Sequence, residues 1–93
     1  MKRIRWTQPA ARDLTAICDY IKEHSGGEPA RKVALRVYTD IGMLKRFPYL
    51  GRPGRSPSTR ELVFPGLPFL AVYRIRGEAI EIVAYSARCP AFS

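Results

Sequence analysis

The chain carries two kinds of hydrophobic periodicity, divided by one aperiodic stretch. Leu14, Ile17, Cys18 and Ile21 recur at i, i+3, i+4 and i+7, while Arg12, Asp13, Asp19, Lys22 and Glu23 fall between them. That spacing puts the apolar set on one face of a helix. Thr7 followed by Pro9 has the chemistry of a helix cap and first turn, and Ser25-Gly26-Gly27 that of an end. A second helix is expected to open at Pro29 and to stop at Pro48. Its stripe is Val33, Val37, Ile41 and Leu44, with Arg31, Lys32, Arg36, Asp40 and Lys45 outside. So few residues separate the helices that they should form an antiparallel hairpin, both stripes facing one core.

Residues 48–58 are Pro, Gly, Ser and Arg without periodicity, which predicts a loop. Beyond it, residues 61–64, 69–75 and 80–85 are runs rich in β-branched and aromatic residues and read as strands of an antiparallel meander. Pro65-Gly66 with Pro68 makes the first connection, and Gly77-Glu78 a two-residue hairpin turn. Residues 2–6 are a short β-competent segment ending at Trp6. The expected fold is α+β, in the order β-α-α-β-β-β. A helix hairpin packs on one face of a small, mostly antiparallel sheet, and the other face stays partly open.

Composition narrows the class. The 93 residues are expected to form one domain, residues 1–93, with 46% hydrophobic residues to supply its core. No apolar run approaches the roughly 18 residues that would span a bilayer, so no membrane partner is expected. The charged start, Met1-Lys2-Arg3-Ile4-Arg5-Trp6, does not resemble a secretion signal. Cys18 and Cys89 lie far apart and give no disulfide framework, so reduced thiols and a cytoplasmic location are expected. One His and two distant Cys have no metal-ligand spacing. Gly51 to Gly54 lacks the strand–loop–helix setting and the Lys-Ser/Thr ending of a phosphate-binding loop. Neither a metal nor a cofactor is expected. The balance of 16 Lys+Arg against 8 Asp+Glu, a net charge of +8, calls for an anionic partner. Nucleic acid and an acidic peptide satisfy it equally.

The run from Gly51-Arg52-Pro53-Gly54-Arg55 through Arg60-Glu61-Leu62-Val63, followed by Pro68-Phe69-Leu70-Ala71-Val72-Tyr73-Arg74-Ile75 and Ala79-Ile80-Glu81-Ile82-Val83, resembles the C-terminal half of ParE-like toxins of type II toxin–antitoxin pairs. Trp6, Ala10, Asp13-Leu14, Ile17 and Tyr20-Ile21 resemble the first strand and helix of the same RelE/ParE superfamily, in the right order. The resemblance implies a toxin neutralised by a cognate antitoxin within a hetero-oligomer. The family's last strand often continues into a His-containing tail, whereas here Val83-Ala84 runs directly to Tyr85-Ser86-Ala87-Arg88. Tyr85 either replaces that His or stands near its place.

Two targets follow from the resemblance. A ParE-type member binds and inhibits DNA gyrase without being an enzyme. A RelE-type member cleaves mRNA on the ribosome, which requires a group to activate the 2′-OH, one to protonate the leaving oxygen, and cations for the phosphate. The candidates for such chemistry are Arg60, Arg74, Tyr85 and Arg88, a thin set; a Tyr with a pKa of about 10 is a poor base unless arginines depress it. Arg52, Arg55 and Arg60 are the candidate target-binding residues. Set against these roles, Arg60 could instead cap the loop or pair with Glu61 or Glu81, and Tyr85 could be an ordinary half-buried aromatic. His24 suits the C-terminal dipole of the first helix. The scarcity of catalytic groups favours the gyrase inhibitor.

Overall fold

A computed structural model of the chain describes residues 1–87. The chain order is β1 (Arg3–Trp6), α1 (Gln8–Ser25), α2 (Gly27–Gly42), a 3₁₀ turn (Met43–Lys45), β2 (Arg52–Pro53), β3 (Arg60–Val63), β4 (Phe69–Arg76) and β5 (Ala79–Ala87). The β-α-α-β-β-β arrangement and the helix hairpin expected from the sequence are both present.

Thr7 starts α1 as anticipated: its hydroxyl accepts from the Ala10 N–H at 3.3 Å. The same hydroxyl donates to the Ile82 carbonyl at 2.8 Å, tying the helix start to β5. Gly26, at φ 102°, closes α1 and also opens α2, a backbone angle that favours glycine. The second helix therefore begins at Gly27 rather than at Pro29. Pro29 sits within the first turn, where the missing N–H leaves no intrahelical bond unmade. At the other end the helix tightens into the 3₁₀ turn, which still buries Leu44.

The sheet runs β1-β5-β4-β3-β2, with β1 parallel to β5 and every other pair antiparallel. One feature differs from the sequence reading, and one was not specified by it. The stretch 48–58 contains a short edge strand, β2, paired with β3 through Arg52↔Glu61 and Pro53↔Arg60; two residues with a proline give no hydrophobic alternation to read. The first strand joins the meander alongside its last strand, Arg3 opposite Ala79 and Trp6 opposite Ile82.

Ile4, Trp6, Leu62, Phe64, Phe69, Ala71, Tyr73, Ile75, Ile80, Ile82 and Tyr85 form the sheet side of the core. Ala10 and Leu14 of α1, Val37 and Ile41 of α2, and Leu44 close it from above. A bulge opposite the Val72–Tyr73 step leaves Val83 unpaired, so the inward alternation Ile80, Ile82 resumes at Tyr85 instead of Ala84. The opposite face carries Arg3, Arg5, Glu61, Val63, Leu70, Val72, Arg74, Arg76, Ala79 and Glu81, by the period of two along each strand.

Candidate functional site

The segment between the 3₁₀ turn and β3 is fixed by two side chains from the sheet. The Tyr73 hydroxyl, buried under this loop, donates to the Pro48 carbonyl at 2.7 Å and accepts from the Gly51 N–H at 2.9 Å. Arg60 sends Nε to the Gly51 carbonyl at 2.9 Å and Nη2 to the Tyr49 carbonyl at 3.3 Å, and its guanidinium lies 5.2 Å from the centre of the Tyr49 ring. A Cβ at Gly51 would come within 2.8 Å of the Tyr73 ring and hydroxyl and 2.7 Å of the Glu61 carbonyl, so only glycine fits there. At Gly54 a Cβ would collide with the Thr59 hydroxyl and backbone.

Of the candidate target-binding residues, Arg60 is thus the loop's own bracket, bonded to backbone and to neither Glu61 nor Glu81. Arg52 pairs with Glu61 at 3.1 Å across β2 and β3, its side chain still 61% exposed. Arg55 is exposed in the turn beyond. The loop lifts Phe47, Tyr49 and Leu50, all more than half exposed, beside a cleft of about 390 Å³ lined by Met43, Leu50, Leu62, Val63 and Pro65. A second cleft, of about 440 Å³, lies between the helices over Trp6, Leu14, Cys18, Ala34 and Tyr38.

The remaining chemical candidates do not converge. Arg60 shares the core side of the sheet with its cross-strand neighbour Tyr73, whereas Arg74 stands on the open face. Tyr85 is buried against Trp6 (5.8 Å, stacked) and Phe69 (6.1 Å, edge-on). Its hydroxyl is buried with no hydrogen-bond partner. Burial foremost, then Tyr38, Cys18 and Asp13, pushes its ionisation far above the ordinary tyrosine value, and no arginine is among the groups acting on it. Arg88 lies outside the described residues, as does Cys89. His24 Nδ1 donates to the Tyr20 carbonyl at 2.9 Å and the ring stacks on that of Tyr20 at 4.0 Å, a local helix-end role. Among the described residues no cluster of three or more His, Cys, Asp or Glu could hold a metal.

Three roles were not read from the sequence. Tyr73 looked like one more strand aromatic, and its link to a loop 22 residues away leaves no local signal. Asp13, placed on the polar side of α1, accepts the Tyr85 N–H at 3.0 Å and so caps the part of β5 that projects beyond β1. Glu81 is 4% exposed although it points to the open face. Arg74 Nε donates to its Oε1 at 2.7 Å and Arg5 Nη2 lies 3.2 Å from its Oε2. The Arg74 hydrogen bond, against an opposing desolvation and with help from Arg74, Arg5 and Arg76 charge, holds the Glu81 carboxyl below its ordinary value.

Comparison with known proteins agrees with this architecture. Residues 4–84 match the family described as ParE toxin of type II toxin–antitoxin system, parDE. The chain is 47% identical over 74 residues to the proposed toxin Y4kP of Sinorhizobium fredii, covering 80% of this chain and 76% of the relative. It is 34% identical over 83 residues to toxin RelE2 of Caulobacter vibrioides, covering 89% and 91%. Among solved structures, a chain of the chromosomal ParDE toxin–antitoxin system from P. aeruginosa superposes with a TM-score of 0.86 at 31% identity, over 94% of this chain and 96% of that one. A chain of the toxin–antitoxin complex RelBE2 from Mycobacterium tuberculosis superposes with a TM-score of 0.65 at 25% identity, over 94% and 98%. With residues 4–84 matched by that family and these relatives covering most of its length, the chain belongs to the ParE toxin family of type II toxin–antitoxin systems.

Proposed function

We propose that this toxin acts in the cytoplasm by binding and inhibiting DNA gyrase, and that a cognate antitoxin with an acidic segment neutralises it. The observation that carries the target is the placement of Tyr85. A proton carrier must reach the reacting oxygen and titrate near the working pH. A hydroxyl enclosed in the core, with its ionisation pushed upward, is suited to neither task. Arg60 is engaged with loop backbone, which favours a role in shaping a binding surface. The ParDE-system chain, the stronger structural match of the two described, points the same way.

The experiment adds purified protein to a gyrase supercoiling reaction and, separately, to ribosomes translating a defined mRNA. Loss of supercoiling with intact mRNA is the expected result; codon-position cuts with supercoiling untouched would establish the RelE-type reading, which the name of the Caulobacter relative keeps in view.

The antitoxin reading rests on the two structural neighbours, both from toxin–antitoxin systems. The clefts of about 390 and 440 Å³ suit an amphipathic helix and an adjoining extended stretch. With a toxin of +8, association should be fast and slowed by salt. The two proteins are expected to co-elute at moderate salt, and separate elution would count against this partner.

A further inference from the structure

On the sheet face opposite the helices, two cross-strand rows lie side by side. Arg5, Glu81 and Arg74 face one another across β1, β5 and β4, and Arg3, Ala79 and Arg76 form the next row. Strands about 4.8 Å apart and a rise of about 3.3 Å per residue put the four arginine roots at the corners of a rectangle of about 10 by 7 Å. Its middle is kept low by Ala79 and by the carboxylate of Glu81. Glu81 takes both inner guanidiniums, Arg74 at 2.7 Å and Arg5 at 3.2 Å, and so limits where those two can swing. The Arg5 side chain nonetheless remains 71% exposed and that of Arg74 39%, while Arg3 and Arg76 are exposed. Four guanidiniums against one carboxylate leave a strong local excess of positive charge on a flat surface.

We infer that this face is a nucleic-acid backbone site, in which Arg3, Arg5, Arg74 and Arg76 contact phosphodiester oxygens and Glu81 acts as a positioning residue. Arginine forks match phosphate oxygens two at a time, and a guanidinium already held on one side loses less freedom on binding. The two rows present arginines, with the aliphatic Val72 and the buried Leu70 farther along β4, and polar, strongly positive surfaces are characteristic of nucleic-acid contacts. None of the four arginines lines either cleft described above, so antitoxin docking there does not account for them. The inference goes beyond gyrase inhibition and stands without it.

The test is fluorescence anisotropy of the full chain with labelled DNA and RNA oligonucleotides, single-stranded and duplex, across a salt series. Arg3→Ala/Arg76→Ala is compared with Arg31→Ala/Lys32→Ala, which removes the same charge from exposed positions of α2. The open-face pair should weaken binding about tenfold and reduce the salt slope by about 1.5–2, with the control close to the unaltered chain. The probe bound most tightly then identifies the natural strand. Equal losses in the two pairs would reduce the effect to net charge and overturn the site. Absence of binding at low salt would do the same, as would displacement by a poly-glutamate peptide at concentrations below those of unlabelled oligonucleotide. Unchanged melting midpoints of both variants confirm that folding is not what is being read.

Discussion

Tyr73 and Tyr85 are both buried tyrosines on the inner face of the sheet, and their hydroxyls have opposite circumstances. That of Tyr73 makes two hydrogen bonds to the loop, to Pro48 and Gly51. Tyr73→Phe should therefore cost about 1–3 kcal/mol, since it leaves a buried N–H and a carbonyl unsatisfied. In a thermal melt this is a fall of several degrees, and an unchanged midpoint would show that the loop does not depend on the bracket. The hydroxyl of Tyr85 has no partner, so Tyr85→Phe removes a desolvated group and is expected to keep or raise the stability, by up to about 1 kcal/mol, with a midpoint unchanged or higher. Growth inhibition should persist in that variant, and its loss with an intact fold would restore Tyr85 as a chemical group. Because the folded-state ionisation of Tyr85 is raised, its contribution is complete below the ordinary tyrosine value and declines as pH rises past it. For Tyr73 the sequence showed only membership of a strand, whereas for Tyr85 it left open the ordinary aromatic that the structure shows packed on Trp6 and Phe69. The direction of a hydroxyl depends on what the opposite element brings to it, and for Tyr73 that element is a loop with no periodicity.

At the level of elements, the helices were the most legible part, because a stripe at i, i+3, i+4 and i+7 has one physical meaning. Leu14, Val37, Ile41 and Leu44 occupy the core as their spacing indicated. Leu14→Ala and Ile41→Ala should each cost about 2–5 kcal/mol. Midpoints unmoved by these changes would mean that the stripes face elsewhere. Strand partners were less legible than strand positions. Nothing local in Arg3-Ile4-Arg5-Trp6 specifies a neighbour 76 residues away, and β2 is too short to show an alternation. The Arg5–Glu81–Arg74 row was hidden for the same reason, since the three charges meet only once β1 has been placed beside β5. Glu81 has its carboxyl held below the ordinary value, so its stabilisation is present above that value and is lost as pH falls through the folded-state one. Glu81→Gln should flatten the acid limb of the stability–pH profile below the ordinary carboxylate range. Retention of the full limb would assign it to other carboxylates.

For the molecule as a whole, the strand order β1-β5-β4-β3-β2 makes the first strand wait for the last. While the chain is being synthesised, α1 and α2 can pair with each other early, because their contacts are close in sequence. The backbone groups of residues 3–6 find their partners only when residues 79–82 have left the ribosomal exit tunnel. Thr7 reaches the Ile82 carbonyl at the same moment. Closure over so long a separation is slow compared with forming a local hairpin. The growing chain therefore exposes the half-built core to its surroundings until β5 has emerged. A partner translated nearby has that interval in which to meet an incomplete surface, and a chain interrupted before β5 has no finished sheet to present to any target.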